Sequence, residues 1–139
     1  MKLITLISAG AFILFSAFVM KKENTTQTSS LYNTKWSLKK IHTETGTEEV
    51  LTKAFIKFNQ EKKSAGGNGS CNTFGSTISV AGDKISITDI FSTQMYCEGV
   101  QPTEDAFFKQ LGIVTRFEVK NKTLLLYRNQ EVLLEFEGE

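Results

Sequence analysis

From Lys35 onward in this 139-residue chain the apolar side chains mostly alternate, the spacing that a strand with one buried face requires. Trp36 and Leu38 share a face of "TKWSLKKI", and Ala54, Ile56 and Phe58 share one in "KAFIKFN". "STISV" aligns Ile78 with Val80, "GDK" turns, and "ISITDI" resumes with Ile85 and Ile87. "TRFEVK" presents Phe117 and Val119 before the turn "NKT", and Asn129 with Gln130 separates "LLLYR" from "EVLLEFE" as a hairpin. About six or seven short strands are expected.

One segment departs from this period. "QPTEDAFFKQLG" carries Pro102 early, Glu104 and Asp105 in a first turn, Phe107, Phe108 and Leu111 at helical spacing, and Gly112 as a stop. These signals predict a helix over about 102–111. A lone amphipathic helix so short does not hold by itself, so its apolar side must cover an opening or a face of the sheet. The expectation is a mainly β domain, a compact antiparallel barrel or sandwich with one helix.

Ahead of this domain, "MK" is followed by the apolar run Leu3 to Val19 and then Met20, Lys21 and Lys22. Residues 1–20 read as a secretory signal peptide or, if uncleaved, as a membrane-anchor helix that attaches the chain through residues 3–19. Ser16, Ala17, Phe18 and Val19 form no clean cleavage motif, so both readings stand. No cysteine follows the run to accept a lipid. Residues 21–31, chiefly "KKENTTQTSS", read as a disordered polar linker, which leaves 32–137 for the folded domain. An exported protein of the periplasm or cell envelope is expected. The formal charge is +1 with no basic stripe along the chain, which argues against nucleic acid as a partner.

The stretch "SAGGNGSCNTFGS", Ser64 to Ser76, is rich in glycine but lacks the lysine of a phosphate loop and the third glycine of a dinucleotide fold. Gly66, Gly67 and Gly69 are therefore read as positive-φ positions of a turn or bulge. Cys71 lies in this stretch, and Cys97 is the other cysteine of the chain. With His42 as the sole imidazole, a complete zinc site is not available, and no metal or cofactor is expected. Behind an export signal a Cys71–Cys97 bridge is the favoured reading. A thiolate enzyme using His42 as base and a pair of buried free thiols stay open.

Other candidates have plainer uses. Glu48, Glu49, Glu104 and Asp105 suit a solvated loop and a helix start, and no catalytic residue is assigned. Trp36, Phe55, Phe58 and Phe74 could line a ligand cavity, though filling a core is their commoner use. Asn24, Asn68 and Asn121 match the glycosylation pattern, which matters only in a glycosylating host.

In order along the chain, "WSLKKI", "GSCNTFG", "ISITDIFSTQMYC", "EDAFFKQL", "LLL" and "LLEF" resemble the META domain, the family that includes the HslJ-type heat-shock proteins. The resemblance covers Tyr32 to Glu137, and its most specific parts are Cys71-Asn72 and Ser92-Thr93-x-Met95-x-Cys97. Three positions depart from the family pattern: Ser70 stands where a glycine is usual, Gly75 directly follows Phe74, and Tyr96 precedes the second cysteine.

The resemblance implies a barrel-like fold with one helix, an envelope location, no established catalytic activity, and an association with heat shock and stress. It marks Cys71, Asn72, Ser92, Thr93, Met95 and Cys97 as signature residues. Asn72 and Thr93 are expected to hydrogen-bond the loop backbone, and the cysteines to join neighbouring strands. The functional expectation is a non-enzymatic envelope module that binds or supports another envelope protein or a small ligand. Its recognition loop would include Gly67, Asn68, Gly69, Phe74 and Tyr96, with the Tyr96 to Gln101 connection. The alternative is a lipocalin-like carrier of small molecules.

Overall fold

The computed structural model describes residues 31–139. The signal or anchor expected at 1–20, the linker up to Ser30 and Asn24 lie outside the described residues. Leu31, placed at the linker's end by the sequence, is fully buried, and its carbonyl accepts the Trp36 Nε1 hydrogen at 3.0 Å. Among the described residues, no helix is long and apolar enough to cross a membrane.

The strands are β1 (Lys35–Thr43), β2 (Gly46–Glu49), β3 (Phe55–Asn59), β4 (Ser64–Asn68), β5 (Thr73–Ala81), β6 (Lys84–Ser92), β7 (Arg116–Lys120), β8 (Thr123–Arg128) and β9 (Glu131–Gly138). The helix α1 (Gln101–Leu111) falls between β6 and β7, within a residue of its predicted bounds. Every pairing is antiparallel, in the order β2-β1-β3-β4-β5-β6-β7-β8-β9, and a further β1–β9 pairing closes the sheet into a ring. Closure pairs the long strands on both sides and leaves the short β2, bonded to β1 alone, with a free edge.

Strand alternation supplies the interior: Trp36, Leu38 and Ile41 from β1, Ile56 and Phe58 from β3, Ile85 and Ile87 from β6, Leu124 and Leu126 from β8. In β9 the pairing slips between Leu126–Leu134 and Tyr127–Val132, so the extra residue Leu133 joins Leu134 in the core. A second slip, in β6, contains Asp89 at φ 52 and turns Phe91 outward, 71% exposed. The weakest seam is β6–β7, where Lys84 faces Arg116 and pairing stops. The chain leaves this seam to form α1, whose Phe107 and Leu111 are fully buried. Phe107 packs on Phe136 at 6.1 Å and edge-on against Phe74 at 5.7 Å, so the helix closes the barrel as its apolar stripe required.

Nine strands form where the alternation predicted about six or seven. β2 ("GTEE") is exposed at every position and has no apolar period to read, and β4 ("SAGGN") is the first part of the glycine stretch. Gly66, Gly67 and Gly69 are not positive-φ positions; that role falls to Gly46, Gly82 and Gly99. They serve close approach instead. A Cβ on Gly67 would stand 2.0 Å from the Phe55 carbonyl oxygen, and one on Gly69 would stand 2.5 Å from the Phe108 ring. The strained residue of the turn is Ser70, at φ 124.

Because neighbouring strands run antiparallel, the connections sort to two ends. One end carries both the entry at Leu31 and the exit at Glu139, with turns 60–63, 82–83 and 121–122. The other carries α1, the β4–β5 turn, the β6–α1 connection and the hairpins at 44–45 and 129–130. We call these the terminal end and the helix end.

Candidate functional site

At the helix end the β4–β5 turn, residues 69–72, has more backbone donors than the strands can satisfy, and it is buried under α1. The acceptor comes from the helix. Glu104 is 2% exposed, and its Oε2 accepts the backbone N–H groups of Cys71 at 2.9 Å and Asn72 at 2.7 Å. Its Oε1 accepts Asn72 Nδ2 at 2.6 Å. Three N–H donors converging on one carboxylate at the first turn of a helix offset the cost of removing it from water.

Asn72, itself 3% exposed, passes this order on to the next connection. Its Nδ2 also donates to the Met95 carbonyl at 2.9 Å, while its Oδ1 accepts Met95 N–H at 2.8 Å and the Thr93 hydroxyl at 2.9 Å. The side-chain amide is thus satisfied on both sides. Its direct bonds to the Met95 backbone fit the expected role. The Thr93 hydroxyl differs from the expectation: it reaches the Asn72 side chain, whereas the Thr93 backbone N–H goes to the Thr73 carbonyl at 3.1 Å. Ser70 N–H is taken by Asn68 Oδ1 at 2.9 Å and the Ser70 hydroxyl meets that of Thr52 at 2.8 Å, which ties the β2–β3 connection to the same turn.

A disulfide joins Cys71 to Cys97, with Cα atoms 5.8 Å apart and a sequence separation of 26. It joins the β4–β5 turn to the β6–α1 connection, not two strands as expected, because both cysteines lie just outside strand pairing. There are no free cysteines among the described residues, so neither sulfur offers a thiolate. His42 is engaged elsewhere: Nε2 meets Glu135 Oε1 at 2.7 Å and Nδ1 meets Thr47 Oγ1 at 2.9 Å. No cluster of metal-ligating side chains occurs among the described residues.

The polar network is covered, but its rim is apolar. Leu51 is 96% exposed, Tyr96 78% and Met95 59%. All three lie beside the stapled turn: Leu51 next to Thr52, Met95 with its backbone on Asn72, and Tyr96 next to Cys97. Phe91, near the end of β6, is exposed as well, its ring lying over Gly75 of β5, where a Cβ would come within 2.5 Å of it. Of the other residues expected in a recognition loop, Phe74 and Gly69 are buried and Gly67 and Asn68 half-buried, since β5 alternation turns Phe74 inward against Phe107 and Phe108. Ser92 is half-buried opposite Phe74.

Glu104 was read as an ordinary helix-start acid, yet it is the centre of the site. One signal was present in the sequence: it precedes Phe107, Phe108 and Leu111 by three, four and seven residues and so shares their inward face. The aromatics considered for a ligand cavity fill the interior: Trp36, Phe58 and Phe74 belong to the core, and Phe55 lies half-buried beneath the Lys35 ammonium at 5.2 Å.

The META domain family model matches residues 29–139. Two solved structures share the fold. One, described as the NMR structure of a protein from Burkholderia xenovorans, is 17% identical, with 99% of each chain covered and a TM-score of 0.68. The other, also an NMR structure, is 15% identical over 78% of this chain and 92% of its own, with a TM-score of 0.59. No curated protein matches the sequence.

Proposed function

We propose, from the premise that this chain belongs to the META domain family, that it is a non-enzymatic, stress-related binding or support module of the cell envelope. The observation that carries the reading is the helix-end rim: Leu51, Phe91, Met95 and Tyr96 are exposed above a turn held by Glu104, Asn72 and a disulfide. Large apolar side chains displayed on a rigid support suit recognition of another apolar surface. The fitting partner is an exported polypeptide that exposes apolar segments when heat loosens it. The disulfide is consistent with an oxidising, exported compartment. Engagement of both cysteines and of both His42 nitrogens supports a role without thiol chemistry.

The test is suppression of aggregation of a heat-destabilised exported protein by the full chain, compared with the Phe91→Ser/Tyr96→Ser variant. The native chain should delay aggregation and the variant should lose most of that effect while keeping its melting temperature, because both side chains are exposed. No delay by the native chain, or equal delay by both, would reject the reading.

A further inference from the structure

We infer that the terminal end of the barrel is a docking surface for an anionic phospholipid bilayer. Formal charge is nearly balanced along the sequence, but folding sorts it. Lys57, Lys62, Lys63, Lys84, Lys120 and Lys122 all collect in or beside the turns of the terminal end, all exposed. None of them pairs with a carboxylate among the described residues, where the ion pairs use Lys35, Lys39, Lys40, His42 and Arg128 instead. The acids of this end are Glu61, Asp83, Glu137 and Glu139, of which Glu139 is held by Lys35 at 2.7 Å and Glu137 by Lys39 at 3.5 Å. The helix end has the opposite sign, with Glu44, Glu48, Glu49, Glu98, Asp105 and Glu131 exposed around Lys53, Lys109 and Arg128. A molecule charged in this way turns one end toward an anionic surface and the other away from it.

Shape adds to charge. Two adjoining surface grooves open at the terminal end and share Asn33 and Thr34. The larger, about 470 Å³, is lined by Lys35, Lys57 and Lys62 with Tyr32, Asn59 and Ser64; the smaller, about 370 Å³, includes Lys122, Asn121 and the Glu139 carboxylate that Lys35 holds. Ammonium groups around polar recesses suit phosphate-bearing headgroups, toward which each exposed lysine adds attraction. Chain geometry points the same way. The apolar run Leu3 to Val19 ends about a dozen residues before Leu31, a tether of at most about 40 Å when fully extended. It joins the barrel at the basic end, beside those grooves. The apolar rim at the far end then points away from the lipid, toward partners.

The experiment is backbone amide exchange on the full chain bound to vesicles of phosphatidylcholine alone or mixed with phosphatidylglycerol. Turns 60–63 and 121–122 should exchange about threefold or more slowly with the anionic lipid, while the 129–130 hairpin is unchanged. The Lys57→Glu/Lys62→Glu/Lys122→Glu variant should lose that protection, and so should the native chain at high salt, which tests the surface even if the variant folds poorly. Equal exchange in the two lipids would overturn the proposal, as would protection that survives high salt. Inorganic phosphate reproducing the protection in lipid-free micelles would also overturn it, by showing a site for free anions and not a membrane surface.

Discussion

The two ends of the barrel are held in different ways. At the helix end the turn backbone lies under α1, satisfied by Glu104 and Asn72 and crossed by a disulfide, and large apolar side chains stand exposed beside it. At the terminal end the turns are exposed and lysine-rich, and the clasp is the surface pair Lys35–Glu139. A buried polar network fixes geometry because each unpaired member costs free energy, whereas exposed charge sets orientation with little effect on stability. One end is therefore built to keep a shape and the other to present a field.

The largest blow to this contrast should come from Glu104→Ala. It strands the N–H groups of Cys71 and Asn72 and the Asn72 amide, at a cost of about 4 kcal/mol in urea unfolding. Amide exchange should speed up at 69–72 and 93–100 and stay unchanged at 121–122. A loss below about 1 kcal/mol would show that Glu104 does not organise the helix end. Next comes Cys71→Ser/Cys97→Ser. Opening a loop with a sequence separation of 26 should cost about 3.5 kcal/mol on the chain-entropy model. If Asn72 alone fixes the connection, the double variant should keep native exchange at 93–96 despite its lower stability.

The smallest effect belongs to the terminal clasp. Hydrogen bonds from Lys35 and then Ser37 hold the Glu139 carboxyl below the usual carboxylate range. A depressed folded-state value means that its contribution is present above the ordinary carboxylate range and is lost as pH falls through the lowered value. Glu139→Gln should therefore flatten stability against pH slightly in that acidic window, and leave neutral stability essentially unchanged. A larger neutral effect would mean that the terminal end is locked as firmly as the other.

The parts of the molecule that could be read from its sequence are those set by local period. Trp36 with Leu38, Ile56 with Phe58 and Ile85 with Ile87 announced their strands because a single buried face dictates each. Phe107 and Leu111 announced the helix in the same way. β2 had nothing to announce, since its place depends on pairing Thr47 with His42 and not on burial. The glycines were misread because crowding by Phe55 and Phe108, residues distant in sequence, demands them, and that demand leaves no local trace. Glu104 and Asn72 stand 32 residues apart, and the need for a buried acceptor arises only once the turn is covered. The segregation of lysines from acids was hidden likewise, because turns far apart in the chain meet at one end only through antiparallel order.

The first and last strands of the ring are paired so that the start of β1 lies beside the end of β9, Trp36 opposite Gly138. A mechanical load applied between the amino and carboxyl termini would meet the β1–β9 hydrogen bonds one after another, as a zipper does, and not all together in shear. Pulled in that direction the barrel should open at low force from the terminal end, and the Cys71–Cys97 staple would keep the residues between those two cysteines from extending.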